Sequence, residues 1–199
     1  MIASRKHTTI LLLILGIIAI AGYLANARSH GGGAAPNRLS LYVSVAIGQL
    51  LLVRYIMKGI RVPLRELIGR AHWCDIPLAI GIFFAIRFFS QFVQKWLAID
   101  NHTQALRPRT TVEIGAWIVL SLIAGFAEEL TFRGYLQRQL PFGVIMQAIV
   151  FGISHGYQGI TSVINIAVIG LLFGIAVRLR KGLIAAMIAH AATDIIAAF

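Results

Sequence analysis

Apolar residues in this chain do not alternate with polar ones at a strand or surface-helix period; they come in long runs with few polar interruptions. Seven such runs stand out: Ile10–Ala27, Leu39–Met57, Leu78–Ile99, Ala116–Tyr135, Phe142–Tyr157, Ser162–Leu179 and Leu183–Phe199. Bridging the hydrocarbon core of a bilayer takes about 20 mostly apolar residues in a helix, so the pattern predicts membrane helices. The runs at 142–157 and 162–179 are separated by little more than Gly156–Thr161, which predicts a tight helical hairpin. Pro77 stands at the start of the third run and Pro141 at the end of the fourth, where helix boundaries are expected. Ser29–Pro36, with Gly31, Gly32 and Gly33, reads as a flexible connection.

Composition sharpens this picture. Of 199 residues, 58% are hydrophobic and only 13% charged, against about 25% charged in ordinary soluble domains. The fold class expected is therefore an all-α polytopic transmembrane helix bundle of about seven spans, or six if the first is a cleaved leader. Arg5 and Lys6, an apolar run and then Ala25-Asn26-Ala27 do resemble a leader, but the run is long for one and an uncleaved anchor is favoured. A single cysteine, Cys74, excludes an internal disulfide framework and any multi-cysteine zinc site.

The formal charge of +11 would suggest nucleic acid in a soluble protein. Here the cations lie between apolar runs, where they set orientation instead, and no nucleic-acid partner is expected. Arg5, Lys6, Arg54, Lys58, Arg61, Arg65, Arg70, Arg133, Arg138, Arg178, Arg180 and Lys181 fall on one side of the alternating segments. Arg28, Arg38, Lys95, Arg107 and Arg109 fall on the other. The bias predicts an integral membrane protein with its N-terminus in the cytoplasm. Arg61–Arg70 is expected to lie as an amphipathic stretch on the anionic inner leaflet.

Candidate chemistry concentrates in the C-terminal half. Of seven acidic residues, Glu128, Glu129 and Asp194 lie within apolar runs, as do His155 and His190. Each ionisable group in a bilayer costs about 2.5–3.5 kcal/mol even on the lenient insertion scale, so each calls for a partner or a task. Glu129 and Arg133 are four apart and face each other on a helix, while Glu128 projects about 100° away. Phe151 and His155, and His190 and Asp194, share the same four-residue spacing. At ~1.5 Å per residue the heights of these groups agree to within about 8 Å, so three helices can bring them to one polar site. Alone, each element has a plain structural reading. Glu129–Arg133 is then an ion pair bracing helices, His155 a core histidine, and His190–Asp194 a packing hydrogen bond. Arg87, Gln91 and Gln94 share a face of the third run and read as a polar seam or a cavity lining. His7, His30, His72 and His102 fall in connections and read as solvated, and Cys74 as interfacial packing. Phe83, Phe84, Phe88, Phe89 and Phe92 read as lipid-facing or packing surface.

Taken in order, Glu128-Glu129-x-x-x-Arg133, Phe151-x-x-x-His155 and His190-x-x-x-Asp194 resemble the motifs of the CPBP intramembrane proteases. That family includes the CAAX prenyl endopeptidases and the bacteriocin-processing or self-immunity (Abi) proteins. The resemblance covers about Ala116 to Phe199 and divides the chain into two parts. Residues 1–110 would be N-terminal transmembrane helices with a cytoplasmic amphipathic linker, and 111–199 the catalytic helix core. It implies an intramembrane endopeptidase acting on a membrane-associated peptide or protein, with the lipid bilayer as its setting. Glu128 would be the general base for a water that His155 also holds; His190 and Asp194 would stabilise the oxyanion. Glu129, Arg133 and Phe151 would support them. A glutamate serves as such a base only when desolvated, and apolar helices supply that. Where CAAX endopeptidases carry Asn, this chain has Asp194, which must be protonated to donate or else orient His190 through a hydrogen bond.

The resemblance implies no cofactor. A zinc-dependent version would draw on His155, His190 and Glu128, although no H-E-x-x-H is present. Two non-hydrolytic alternatives are a membrane scaffold or bacteriocin self-immunity protein of the same fold, and a transporter with a proton relay. The site is expected to open toward the cytoplasm, and the cell membrane of a prokaryote is the expected location.

Overall fold

The computed structural model describes residues 3–30, 38–97, 107–197 and 199. Each of the seven apolar runs forms a helix. Helix α1 is Arg5–His30, α2 Arg38–Gly59 and α4 Asp75–Leu97, with a one-turn helix α3, Leu64–Ile68, between the last two. Helix α5, Thr111–Glu128, continues without a break as a π-helix, Glu129–Leu136, and a last turn, Gln137–Gln139. Then come α6, Gly143–Ser154, a 3-10 turn at Gly156–Gln158, α7, Ile160–Arg180, and α8, Ile184–Ala197. The bundle is polytopic and all-helical, as the runs predict. The glycine connection expected at Gly31, Gly32 and Gly33 and the histidine His102 lie outside the described residues.

Among the described residues, four helices are long and apolar enough to cross a membrane: α2, α4, α5 with its continuation, and α7. Helix α1, at 26 residues, measures about 39 Å. Helices α6 and α8 have only 12 and 14 residues, about 18 and 21 Å, shorter than the ~30 Å hydrocarbon core of a bilayer. Outward faces are largely apolar, as suits lipid: Leu13 and Ile17 on α1, Ile47 and Leu51 on α2, Phe84 and Phe88 on α4 are all exposed.

Local chemistry sets the helix boundaries. Thr110 caps α5 by accepting from the Glu113 amide at 3.2 Å, while the Glu113 carboxylate accepts from the amides of Thr110 and Arg109. Pro141 and the left-handed Phe142 (φ 50°) separate the end of α5 from α6. Lys181 (φ 57°) turns the chain between α7 and α8. One end of the bundle is stitched by charge. Asp75, buried at the start of α4, pairs with Arg180 at 2.8 Å, and Arg138 donates to the carbonyls of Glu66 and Leu67.

In this arrangement, α6 runs back along α7, α2 along α5, and α8 lies between α5 and α4. Small residues permit the close approaches, as is usual between membrane helices. A Cβ on Gly125 of α5 would stand 2.8 Å from the carbonyl oxygen of Met187. One on Gly152 of α6 would stand 2.6 Å from that of Val163 and 2.8 Å from the Ala167 Cβ. Gly152→Ala is therefore expected to cost about 1–3 kcal/mol, since neither the Val163 carbonyl nor the Ala167 Cα and Cβ can swing aside. Thermal unfolding in detergent checks this against Gly115→Ala, whose Cβ would meet nothing within 4 Å and should leave the midpoint unchanged.

Two placements differ from what the sequence suggests, at His7 and on the polar face of α4. His7 is not a solvated residue: its ring stacks on Tyr55 at 4.1 Å and meets the edge of Tyr135 at 6.0 Å. Within Arg61–Arg70, Leu67 of α3 is fully buried in the core while Arg61, Arg65 and Arg70 stay exposed, so the stretch has one apolar and one basic side. Arg87 and Gln91 form no internal seam but point outward from α4, leaving only Gln94 half-buried. Helix α1 packs into the bundle, with Leu11 and Leu15 in one buried cluster with Phe132, Tyr135 and Phe151.

Candidate active site

The π-helix at the end of α5 is where the polar interior is built. All eight of its residues are buried. Wider π turns are rare and are frequently found at functional sites, where they re-aim side chains that a regular helix would stack differently. Glu128 is the last α-helical residue before it, and Glu129 its first. Nothing local in the sequence announces this change of winding.

From that junction the two glutamates diverge as expected. Glu129 accepts from Arg133 at 2.8 Å, and both side chains have no exposure. The guanidinium of Arg133 also donates to the Gly170 carbonyl at 3.3 Å and lies over the rings of Phe151 and Phe173 at 4.3 and 5.1 Å. Phe151 thereby touches Arg133 on one side and His155 on the other, its ring centroid 4.8 Å from the imidazole. Glu128 turns instead into a cleft shared by α5, α6 and α8.

Two imidazoles meet Glu128 there. His155 sits just past the end of α6, and its Nδ1 donates to the Phe151 carbonyl at 2.9 Å, one of the acceptors a helix end leaves free. Because a carbonyl only accepts, Nδ1 carries the proton and Nε2 faces Glu128 Oε2 at 3.8 Å. His190, on α8, stacks over Phe173 with 5.3 Å between ring centroids. Its Nδ1 donates to Glu129 Oε1 at 2.8 Å, and its Nε2 stands 3.7 Å from Glu128 Oε2. Glu128 Oε2 is buried without a hydrogen-bond partner, between the two ring nitrogens.

Asp194, one turn beyond His190, has Oδ2 3.5 Å from His190 Nε2, and its backbone carbonyl accepts from the Trp117 indole at 2.8 Å. The hydrogen bond that orients His190 therefore comes from Glu129, not from Asp194. In this site Glu129 holds both Arg133 and His190, a double duty the four-residue spacing does not display. Side-chain exposure rises from 7% at His190 through 16% at His155 and 17% at Glu128 to 34% at Asp194. His155 and Asp194 lie at the ends of α6 and α8 remote from Arg138 and Arg180. The more exposed members of the group are therefore those farthest along α6 and α8 from the cation-rich end. Among the described residues, no three His, Cys, Asp or Glu side chains are grouped so as to hold a metal ion.

One contact comes from outside the motif-bearing half. Gln49 of α2 donates from Nε2 to Glu128 Oε1 at 2.7 Å. Its only mark in the sequence is that of an amide standing alone in an apolar run.

No curated protein and no solved structure gives a significant match to the chain. Residues 110–196 match the family model described as type II CAAX prenyl endopeptidase Rce1-like, a segment that starts at the Thr110 cap and takes in Glu128, His155, His190 and Asp194. In that segment the chain is similar to the type II CAAX prenyl endopeptidase family, and its all-helical architecture is consistent with that likeness.

Proposed function

We propose that this protein is an intramembrane endopeptidase that hydrolyses a peptide bond in a membrane-associated peptide or protein without a metal. The observation that carries the reading is Glu128 Oε2, buried and unpartnered, with the Nε2 atoms of His155 and His190 at 3.8 and 3.7 Å. A water held at Oε2 would be within reach of both rings. As its oxygen adds to the scissile carbonyl, its proton passes to Glu128 Oε2, and His155 Nε2 accepts the hydrogen bond from the attacking group. The new oxyanion lies toward His190. With Glu129 behind Nδ1, this ring is the better placed of the two to carry positive charge, since a carboxylate behind an imidazole stabilises the imidazolium. Collapse of the tetrahedral intermediate returns the proton to the leaving amide nitrogen and breaks the C–N bond. Asp194, at the open side of the cleft, borders the path by which the peptide arrives. His155, His190 and Glu128 would be the residues to bind zinc if a metal took part.

The test is cleavage of a quenched peptide library, half unmodified and half carrying a farnesylated C-terminal cysteine, by purified protein in liposomes. Wild type should cut with or without EDTA, and His155→Ala should not cut. Loss of activity in EDTA with recovery in zinc would replace the proposed mechanism by a metal-dependent one. A folded wild type that cuts neither half would favour a binding or immunity role for the fold. Preference for one half identifies the substrate class.

A further inference from the structure

We infer that Gln49 is a positioning residue for Glu128, fixing which carboxylate oxygen does the chemistry. The inference rests on the protease reading for its catalytic part and on geometry for the rest. Glu128 follows α5 into the cleft on a side chain with three rotatable bonds, and its neighbours on α6 and α8 make no hydrogen bond to it. Both imidazoles stand at 3.7 Å or more from Oε2. The hydrogen bond that does anchor the carboxylate runs from Gln49 Nε2 to Oε1 at 2.7 Å, across the α2–α5 contact. A carboxylate only accepts, so the Gln49 amide must face it with its NH2 group, and Oε1 is the oxygen thereby occupied.

This division has a chemical consequence. With Oε1 engaged by a donor, a proton taken from water goes to Oε2, the atom beside both histidines. The Gln49 bond survives that step, because the carbonyl oxygen of a protonated carboxyl still accepts. Gln49 is thus compatible with both protonation states of Glu128, whereas a cationic partner in its place would hold the carboxylate in its charged form. Its own Oε1 is buried without a hydrogen-bond partner, so packing does not explain why an amide occupies this position in an apolar helix. Positioning through Glu128 does.

Two near-isosteric variants separate positioning from packing. Gln49→Met keeps the volume and removes the donor; Gln49→Glu keeps the shape and sets a second carboxylate against Glu128. On the best peptide from the library, Gln49→Met should lower kcat by about 10- to 100-fold with KM changed less than about threefold, the size of effect expected from a misplaced reacting group. Gln49→Glu should be worse still at neutral pH. A donor-bearing variant, Gln49→His, should recover part of the loss. Full kcat in Gln49→Met, or a raised KM at unchanged kcat, would overturn the inference.

A second readout needs no substrate. In detergent, Gln49→Met should lower the unfolding midpoint in wild type but not in a Glu128→Ala background, where its partner is gone. Equal shifts in both backgrounds would show that the two side chains are not coupled, which overturns the inference whatever the activity. Coupling in a folded protein that cleaves nothing would instead reject the protease reading and, with it, the catalytic part of the role of Gln49.

Discussion

Glu128→Gln is expected to lower kcat by at least about 10²–10⁴-fold, the usual contribution of a general base, while leaving the unfolding midpoint within error of wild type. The substitution is chosen because the site can absorb it. A glutamine at 128 can turn its carbonyl oxygen to Gln49 Nε2, preserving the 2.7 Å bond, and set its NH2 group toward the two Nε2 atoms. Shape, neutral hydrogen bonding and helix packing are kept; only proton acceptance is lost. His155→Ala should act on the same step, so the double variant should be no slower than the slower single one. Groups that work as a unit are non-additive in this way. Retention of more than about a tenth of wild-type kcat in Glu128→Gln would remove glutamate from the role of base. Additive losses would place His155 in a separate step.

The residues of that constellation were legible because their cost is visible in the sequence. A carboxylate, an imidazole or a guanidinium inside an apolar run is expensive wherever the helix places it, and four-residue spacings tell which members share a face. Glu129–Arg133 could be paired from spacing alone. How far the helices extend was less legible. An apolar run of 16 residues, 142–157, looks like a span, yet α6 ends at Ser154 and leaves His155 in a turn. That ending matters chemically, since the carbonyl freed at Phe151 is what fixes the His155 tautomer.

What could not be read was partnership across helices. Gln49 and Glu128 lie 79 positions apart, and Glu129 and His190 lie 61 apart. No local period links either pair; only the close packing of α2 and α8 on α5 does. The π-helix was invisible for a similar reason. Its wider winding is stabilised by burial of all eight residues against α2, α6 and α7, a tertiary effect with no signature in ELTFRGYL itself. The packing of His7 is not legible either, because it depends on Tyr55 and Tyr135 from distant helices.

Arg133→Met is expected to destabilise the folded protein by about 3–5 kcal/mol, the most of any substitution considered, because it strands a charge. Glu129 has no exposure, and one of its oxygens, Oε2, already lacks a hydrogen-bond partner. Removing Arg133 leaves that carboxylate with His190 Nδ1 alone at 2.8 Å. Phe151 and Phe173 lose the guanidinium that lies between them at 4.3 and 5.1 Å, so the methionine must also fill a slot shaped for a planar group. Arg133→Lys should fare little better, since an ammonium cannot reproduce either the planar stacking or the spread of donors toward Glu129 and Gly170. The double variant Arg133→Met/Glu129→Gln removes both charges together, and it should recover much of the loss, as neutral replacement of buried pairs usually does. Its hydrolysis should not recover, because a glutamine behind His190 gives the ring no negative charge to set against the one it must carry. Unfolding midpoints and kcat for the three variants therefore separate two jobs of one ion pair. If Arg133→Met unfolds within about 1 kcal/mol of wild type, the pair is not what holds the π-helix. If the double variant regains both midpoint and kcat, Glu129 braces the fold without tuning His190.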